Sequence, residues 1–173
     1  MEILFKVIGY FLLWTLYSYL YHVLAHVRSK YNLLQYIHLK HHGYKYDGSI
    51  WPPWNEYFFW FGDLRSSMDV YLAFTLPLVI LTIFDPIPGA ILLVFHYFYE
   101  LFLSRNVLDH NPKITGKITR FMSIGSFHLK HHSNVRCNFS FFITFWDYLF
   151  RTDEKSVKEK RRSQRLKSSK ISY

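Results

Sequence analysis

The chain has 173 residues, half of them apolar and 21% aromatic, with one cysteine and a formal charge of +9. That length has room for one domain, and the aromatic content exceeds what a soluble core of this size needs, so part of the surface is expected to meet something other than water. The lone Cys137 excludes an internal disulfide and reads as an inert thiol, and the basic charge comes with no recognised reader motif, so nucleic acid is not an expected partner.

In chain order, residues 3–27, "ILFKVIGYFLLWTLYSYLYHVLAHV", are apolar nearly throughout, with Lys6, His22 and His26 as the ionisable exceptions. At ~1.5 Å per residue this segment is long enough to span a bilayer as a helix. A signal peptide would be shorter in its apolar part and end in a small-residue cleavage site. A polar stretch follows and ends in "SIWPPWNEYFFWFGD" (49–63), whose Trp and Tyr suit the headgroup level. Two further apolar runs, 70–84 and 87–103, are separated by "DPIPG", whose prolines and glycine predict a helix stop. They read as a helical hairpin; each arm is short for a full crossing, so a re-entrant hairpin stays open. From Arg151 onward, nine Lys or Arg stand against three Asp or Glu, a net +6. The division is therefore a membrane domain over 1–152 and a basic tail over 153–173, expected to be disordered or a frayed helix and to contact anionic headgroups or to hold the chain's end in the cytoplasm.

One crossing followed by a returning hairpin puts 28–67 and 106–173 on one side. Arg28, Lys30, Lys40, Lys45 and the tail share that side, which the positive-inside tendency makes cytoplasmic. The expected fold is thus an all-α integral membrane protein: a transmembrane helix plus a helical hairpin, with a cytoplasmic histidine-rich helical cap holding a di-metal site.

That expectation rests on the histidines. His22 and His26, four apart, share a helical stripe. The pentapeptide His-Leu-Lys-His-His occurs twice, as His38, His41 and His42 and again as His128, His131 and His132. On helices, spacings of three and four put each triple on one face, a ready-made claw. Imidazole suits first-row transition ions, whereas magnesium and calcium want oxygen. Eight imidazoles exceed the four ligands of a structural zinc site, and two ions at a shared centre would use them all. A single His-x-x-x-His arises readily by chance, and a lone helical histidine at a membrane face is ordinarily a surface residue; two identical pentapeptides plus a His-x-x-x-His on one side are not explained that way. His110, just past the hairpin, falls on the same side, and position alone leaves open whether it is a ninth ligand. His96, within the hairpin, reads as structural or substrate-lining. Lys40 and Lys130 read as solvated.

His-x-x-x-His, His-x-x-His-His and a later His-x-x-His-His in this order resemble the eight-histidine signature of the fatty acid hydroxylase / sterol desaturase superfamily of membrane di-metal oxygenases. "NFSFFITFWDYLFRT" (138–152) resembles that family's closing Asn-(Tyr/Phe)-Gly…Phe-Trp-Asp-x-Leu-Phe-Gly-Thr run, and "LDHNPK" its Asp-His segment. Ser140 and Arg151 stand where the family more often has glycine, and "DHNP" replaces its commoner Asp-His-Ser-Gly. Bacterial-type carotenoid ring hydroxylases are a neighbouring possibility whose closing sequence is less similar.

The resemblance implies an O2-dependent oxidoreductase that hydroxylates or desaturates a fatty acyl, sterol or related lipid. It further implies two metal ions, iron in the working enzyme with zinc possible after purification, held by His22, His26, His38, His41, His42, His110, His128, His131 and His132. Imidazole N–H groups facing away from the ions need acceptors, for which Asp109, Asp147, Glu56 and Glu100 are candidates, with Asn138 and Asp147 equally readable as turn and helix anchors. No nucleotide fingerprint is present, so electrons are expected from an external cytochrome- or ferredoxin-type donor with its reductase. Bacterial inner membrane and endoplasmic reticulum are both compatible. Two other classes compete: a non-catalytic metal-binding or transporting protein, against which the scarcity of mid-membrane ionisable residues counts, and a structural membrane protein with surface histidines, which leaves the repeated pentapeptide unexplained.

Overall fold

A computed structural model describes residues 1–46, 48–49, 51–58, 60 and 63–171, and the side chains up to residue 169. Of the aromatic stretch 49–63, Ile50, Phe59, Phe61 and Gly62 lie outside the described residues, as do Ser172 and Tyr173 at the tail's end. Three helices are long and apolar enough to cross a membrane: α1 Glu2–Ala25, then the hairpin arms α3 Leu64–Phe84 and α4 Pro86–Ser104. With them come α2 Leu33–His42, α5 Ser126–Ser133, α6 Phe145–Phe150 and α7 Glu154–Ile171. No strand forms among the described residues; an isolated antiparallel bridge joins Met122 and Ile143. The chain is an all-helical integral membrane protein.

The hairpin's first arm starts at Leu64, earlier than the apolar run that begins at 70. The reason is local: the Asp63 side chain accepts from the Ser66 N–H at 2.9 Å, capping a polar first turn that hydropathy cannot see. Only Asp85 separates the arms. Pro86 and Pro88 do not break a helix here but open α4, where a missing N–H costs nothing. Gly89 lets the arms touch, since a Cβ there would stand 2.4 Å from the Thr82 Cα. The tip is tied to the far end of α1, with Asp85 accepting from the Tyr10 hydroxyl and pairing with Lys6 at 3.2 Å.

Both arms contain a π-turn, Tyr71–Thr75 and Tyr99–Ser104. Pro77 follows the first and has no N–H for the carbonyl four residues back, which favours the wider turn. The carbonyls there are used by α1: Trp14 Nε1 donates to the Phe74 carbonyl at 3.0 Å and the Tyr17 hydroxyl to that of Leu72 at 3.1 Å. Around these bonds packs an aromatic core of Trp14, Phe74, Phe142 and Tyr99.

Beyond α4 the chain folds back beneath its own histidines. Phe142, at φ 62°, drives its ring into the α1/α3/α4 core. Asn138, at φ 59°, donates to the Phe127 carbonyl and accepts from the Glu154 N–H. Where disorder or fraying is expected, α7 is helical through Ile171, exposed over most of its length, with Lys158 and Lys130 both on Glu154.

Candidate metal centre

α1 ends, and α2 and α5 lie, at the same end of the helical array, so residues up to 110 apart in sequence meet there. Nine histidines form two neighbouring groups, His22, His26, His38, His42 and His131 in one, His41, His110, His128 and His132 in the other; within each, one ring nitrogen per residue lies within 4.8 Å of all the rest. The groups are adjacent, with His42 and His132 ring centroids 4.5 Å apart.

Each pentapeptide is divided between the groups, which corrects the picture of two separate claws. The i, i+4 pair goes one way and the i+3 residue the other: His38 and His42 join the first group and His41 the second, while His128 and His132 join the second and His131 the first. Residues four apart stack on one stripe of a helix, and the residue between them projects some tens of degrees to the side. Two such helices facing one another therefore complete each other's groups.

The ring nitrogens reveal what the groups are suited to hold. His22 Nδ1 lies 2.6 Å from the Phe139 carbonyl, His131 Nδ1 2.8 Å from that of Cys137, and His110 Nδ1 3.1 Å from that of Ser104 at the end of the second π-turn. A carbonyl only accepts, so each of these nitrogens carries the proton and leaves Nε2 with a bare lone pair. His38 is set the same way by the Asp69 carboxylate, 2.8 Å from its Nδ1. Yet these Nε2 atoms face other imidazole Nε2 atoms: His22 to His26 at 3.3 Å, His131 to His26 at 3.0 Å and to His42 at 3.3 Å, His38 to His42 at 3.0 Å, His110 to His132 at 3.2 Å and His132 to His128 at 3.1 Å. One ring cannot donate to all of its neighbours, so lone pairs oppose one another unless a cation lies among them. Ligands ~2.1 Å from a shared ion at angles of 90–110° would be about 3.0–3.4 Å apart, the separation seen. The residues fit a metal.

Burial and the neighbouring rings hold several of these imidazoles uncharged. His26 and His132 are lowered to about 3 and His110 to about 4, burial being the largest cause for each. His41, His128 and His131 are pushed well below the usual range by burial and then by adjacent histidines. Neutral imidazole is the ligating form. Aromatic rings wall the groups: Phe141 stacks on His22 at 4.6 Å and Tyr46 on His110 at 3.7 Å.

The carboxylates are disposed differently from expectation. Asp69, missed in the sequence, is bonded to an imidazole, that of His38, and it also accepts from the Tyr21 hydroxyl at 3.1 Å. The signal was there: a lone acid at the edge of an apolar run needs a partner. Asp109 accepts from the Tyr99 hydroxyl, Glu56 pairs with Arg105 and accepts from Tyr44, and Glu100 accepts from Ser104 Oγ. Asp147 takes the N–H groups of Phe139 and Ser140 and the Thr152 hydroxyl; it reaches His22 at one remove, through the Phe139 peptide. His96 stands apart from both groups, its Nε2 2.9 Å from the Thr75 hydroxyl. Below the second group, a cavity of about 20 Å³ is lined by Val70, Phe74 and Phe141 together with Asp69, Glu100 and Asp109, room for about one small molecule.

The fatty acid hydroxylase family model matches residues 7–152, from the first turns of α1 to the end of the α6 cap. The chain belongs to the fatty acid hydroxylase family. No curated protein and no solved structure matches it. Membership points to lipid hydroxylation or desaturation by a metal-dependent membrane oxidoreductase, and the histidine groups are compatible with that metal. The two departures from the family's closing run have local explanations. Arg151 occupies the left-handed cap of α6, at φ 55° and ψ 44°, a conformation in which glycine pays no steric cost. Ser140 has ordinary backbone and uses its hydroxyl to accept from the Asp147 N–H at 3.1 Å.

Proposed function

We propose that this protein is an O2-dependent di-iron oxygenase that hydroxylates or desaturates a membrane lipid. The observation carrying the reading is the pair of adjacent all-histidine groups whose Nε2 atoms converge beside a small cavity at one end of the apolar helices. His22, His26, His38, His42 and His131 would hold one ion and His41, His110, His128 and His132 the other, over a domain of residues 1–152; residues 153–173 are a separate basic tail. Side chains alone cannot oxidise an unactivated C–H bond, and two redox-active ions supply that power.

The chain's own groups do the rest. The carbonyls of Ser104, Cys137 and Phe139 and the Asp69 carboxylate hold the Nδ1 protons, so each ring is presented in one tautomer and one orientation. Asp147 and Asn138 act through that backbone, fixing residues 138–140, and Asp109 shapes the cavity with Tyr99. Phe74, Val70 and Phe141 keep water from the reacting carbon. With room for about one small molecule, the cavity admits a lipid's reactive carbon only when Phe141 or the hairpin yields. Hydroxylation takes up two electrons and two protons and releases water, so an external cytochrome- or ferredoxin-type donor and its reductase are required. Arg28, Lys30, Lys40, Lys117 and Arg120 on the histidine side favour the cytoplasmic face of a bacterial inner membrane or of the endoplasmic reticulum.

The test is metal analysis with lipid analysis. Purified protein should carry about two ions per chain, and cells expressing it should accumulate an oxidised lipid that is missing with His132→Ala. Stoichiometric metal without any changed lipid would turn the reading to a metal-binding protein; absence of metal from folded protein would end it.

A further inference from the structure

The C-terminal part of the chain carries a surface that the metal centre does not use. α6 turns Phe145, Tyr148, Leu149 and Phe150 outward, Leu149 at 55% exposure, while Trp146 and Asp147 face in. Phe121, 72% exposed, joins the same patch, since its carbonyl accepts from the Thr144 N–H just before α6. A contiguous aromatic patch of this kind needs a cover.

Its depth along α1 indicates which. Trp146 Nε1 donates to Thr15 Oγ1 at 3.1 Å, and Phe150 stacks on Tyr19 at 5.3 Å. The far boundary is marked by Lys6 paired with Asp85 at the hairpin tip. From Lys6 to Ala25 α1 rises roughly 28 Å, close to the ~30 Å of a bilayer's hydrocarbon. Tyr19 is then about 9 Å inside the near boundary and Thr15 about 15 Å inside. The patch also continues the outward stripe of α1: Leu16 packs against Tyr19 and Trp146, and Leu12 and Leu20, one turn to either side, are exposed. Around the patch stand exposed Lys117, Arg120 and Arg151, and α7 leaves it with eight Lys or Arg against two Glu, a net +6.

We propose that α6 and Phe121 lie in the acyl chains of the bilayer leaflet on the histidine side, as an in-plane wedge that does not cross. Lys117, Arg120, Arg151 and α7 then rest on that leaflet's anionic phosphates. An apolar face with a basic rim and a strongly basic continuation is the pattern of an interfacial helix, and long basic side chains beside an immersed ring reach up to the phosphates. The surface is independent of the oxygenase reading, because it rests on the membrane position of α1 alone.

The experiment places nitroxide labels one at a time in the full chain carrying Cys137→Ala, whose backbone carbonyl, not its thiol, touches His131. The labelled substitutions are Leu149→Cys and Phe121→Cys, with Leu13→Cys as the lipid-facing reference and Ser163→Cys on α7. Each is reconstituted in phosphatidylcholine liposomes with and without phosphatidylglycerol, and collision with oxygen is compared with collision with an aqueous nickel chelate. Labels at 149 and 121 are expected to match position 13, with several-fold greater collision with oxygen than with nickel. Nickel accessibility equal to that at 163 in neutral liposomes would overturn the wedge, and so would protection from both reagents, which would mean a protein covers the patch. Phosphatidylglycerol should lower nickel collision at 163 several-fold; no change would overturn the headgroup contact.

Discussion

His41 and His42 are neighbours in sequence but belong to different groups, whereas His42 and His131, 89 positions apart, belong to the same group. Alanine substitution therefore separates the proposed arrangement from one in which each pentapeptide binds its own ion. A four-histidine site binding with an apparent 10–16 kcal/mol contributes about 3–4 kcal/mol per ligand, or a 100- to 1,000-fold loss of affinity when one is removed. His41→Ala leaves three ligands in its group and should release one ion under mild chelation. His42→Ala leaves four of five and should retain its ion more firmly. The decisive variant is double: His42→Ala with His131→Ala leaves three of five ligands in one group and the other group whole, and should release one ion, whereas it would weaken both sites if each pentapeptide bound its own ion. Metal per chain, measured after dialysis against a chelator on protein that still elutes as folded, reads the outcome. If the double variant at 42 and 131 loses both ions, the division of the pentapeptides is wrong.

Asp69→Asn should weaken metal retention roughly 10- to 100-fold, since the amide cannot hold the His38 proton as a carboxylate does; chelator titration against wild type checks it, and unchanged retention would refute the role. Gly89→Ala should destabilise the hairpin by about 1–3 kcal/mol, because the new methyl meets the Thr82 backbone, and thermal unfolding in detergent should show it. For metal-stripped protein the sign of the pH dependence follows from His26, His110 and His132, lowered to about 3, 4 and 3. The unfolded chain takes up protons first, near pH 6.5, so stability is fully present above that pH and falls below it, by roughly 1.4 kcal/mol per unit per histidine until about pH 4. A flat profile between pH 7 and 4.5 would contradict the burial of these rings.

Much of the fold was legible because bilayers impose long apolar runs: α1 and the hairpin stand out from hydropathy alone. The hairpin's true start was not, because it depends on a capping bond from Asp63 to a polar turn. Nor was the structural use of the prolines, since whether a proline stops a helix or opens one depends on where the preceding helix ends. At the site, the identity of the histidines was visible in the repeated spacing. Their acceptors were not, because three of the four identified are backbone carbonyls, a group every residue possesses.

By itself the sequence determined the inventory: three apolar helices, nine imidazoles near one end of them, and a basic tail, all consequences of local periodicity and composition. Only the tertiary structure decided how the imidazoles are shared, which peptide groups orient them, and that Asp69 rather than the expected acids supports one. Those choices depend on the crossing of α1, α2 and α5 and on a backbone bent left-handed at Asn138, Phe142 and Arg151. Contacts between segments some hundred residues apart leave no trace in the spacing of either segment.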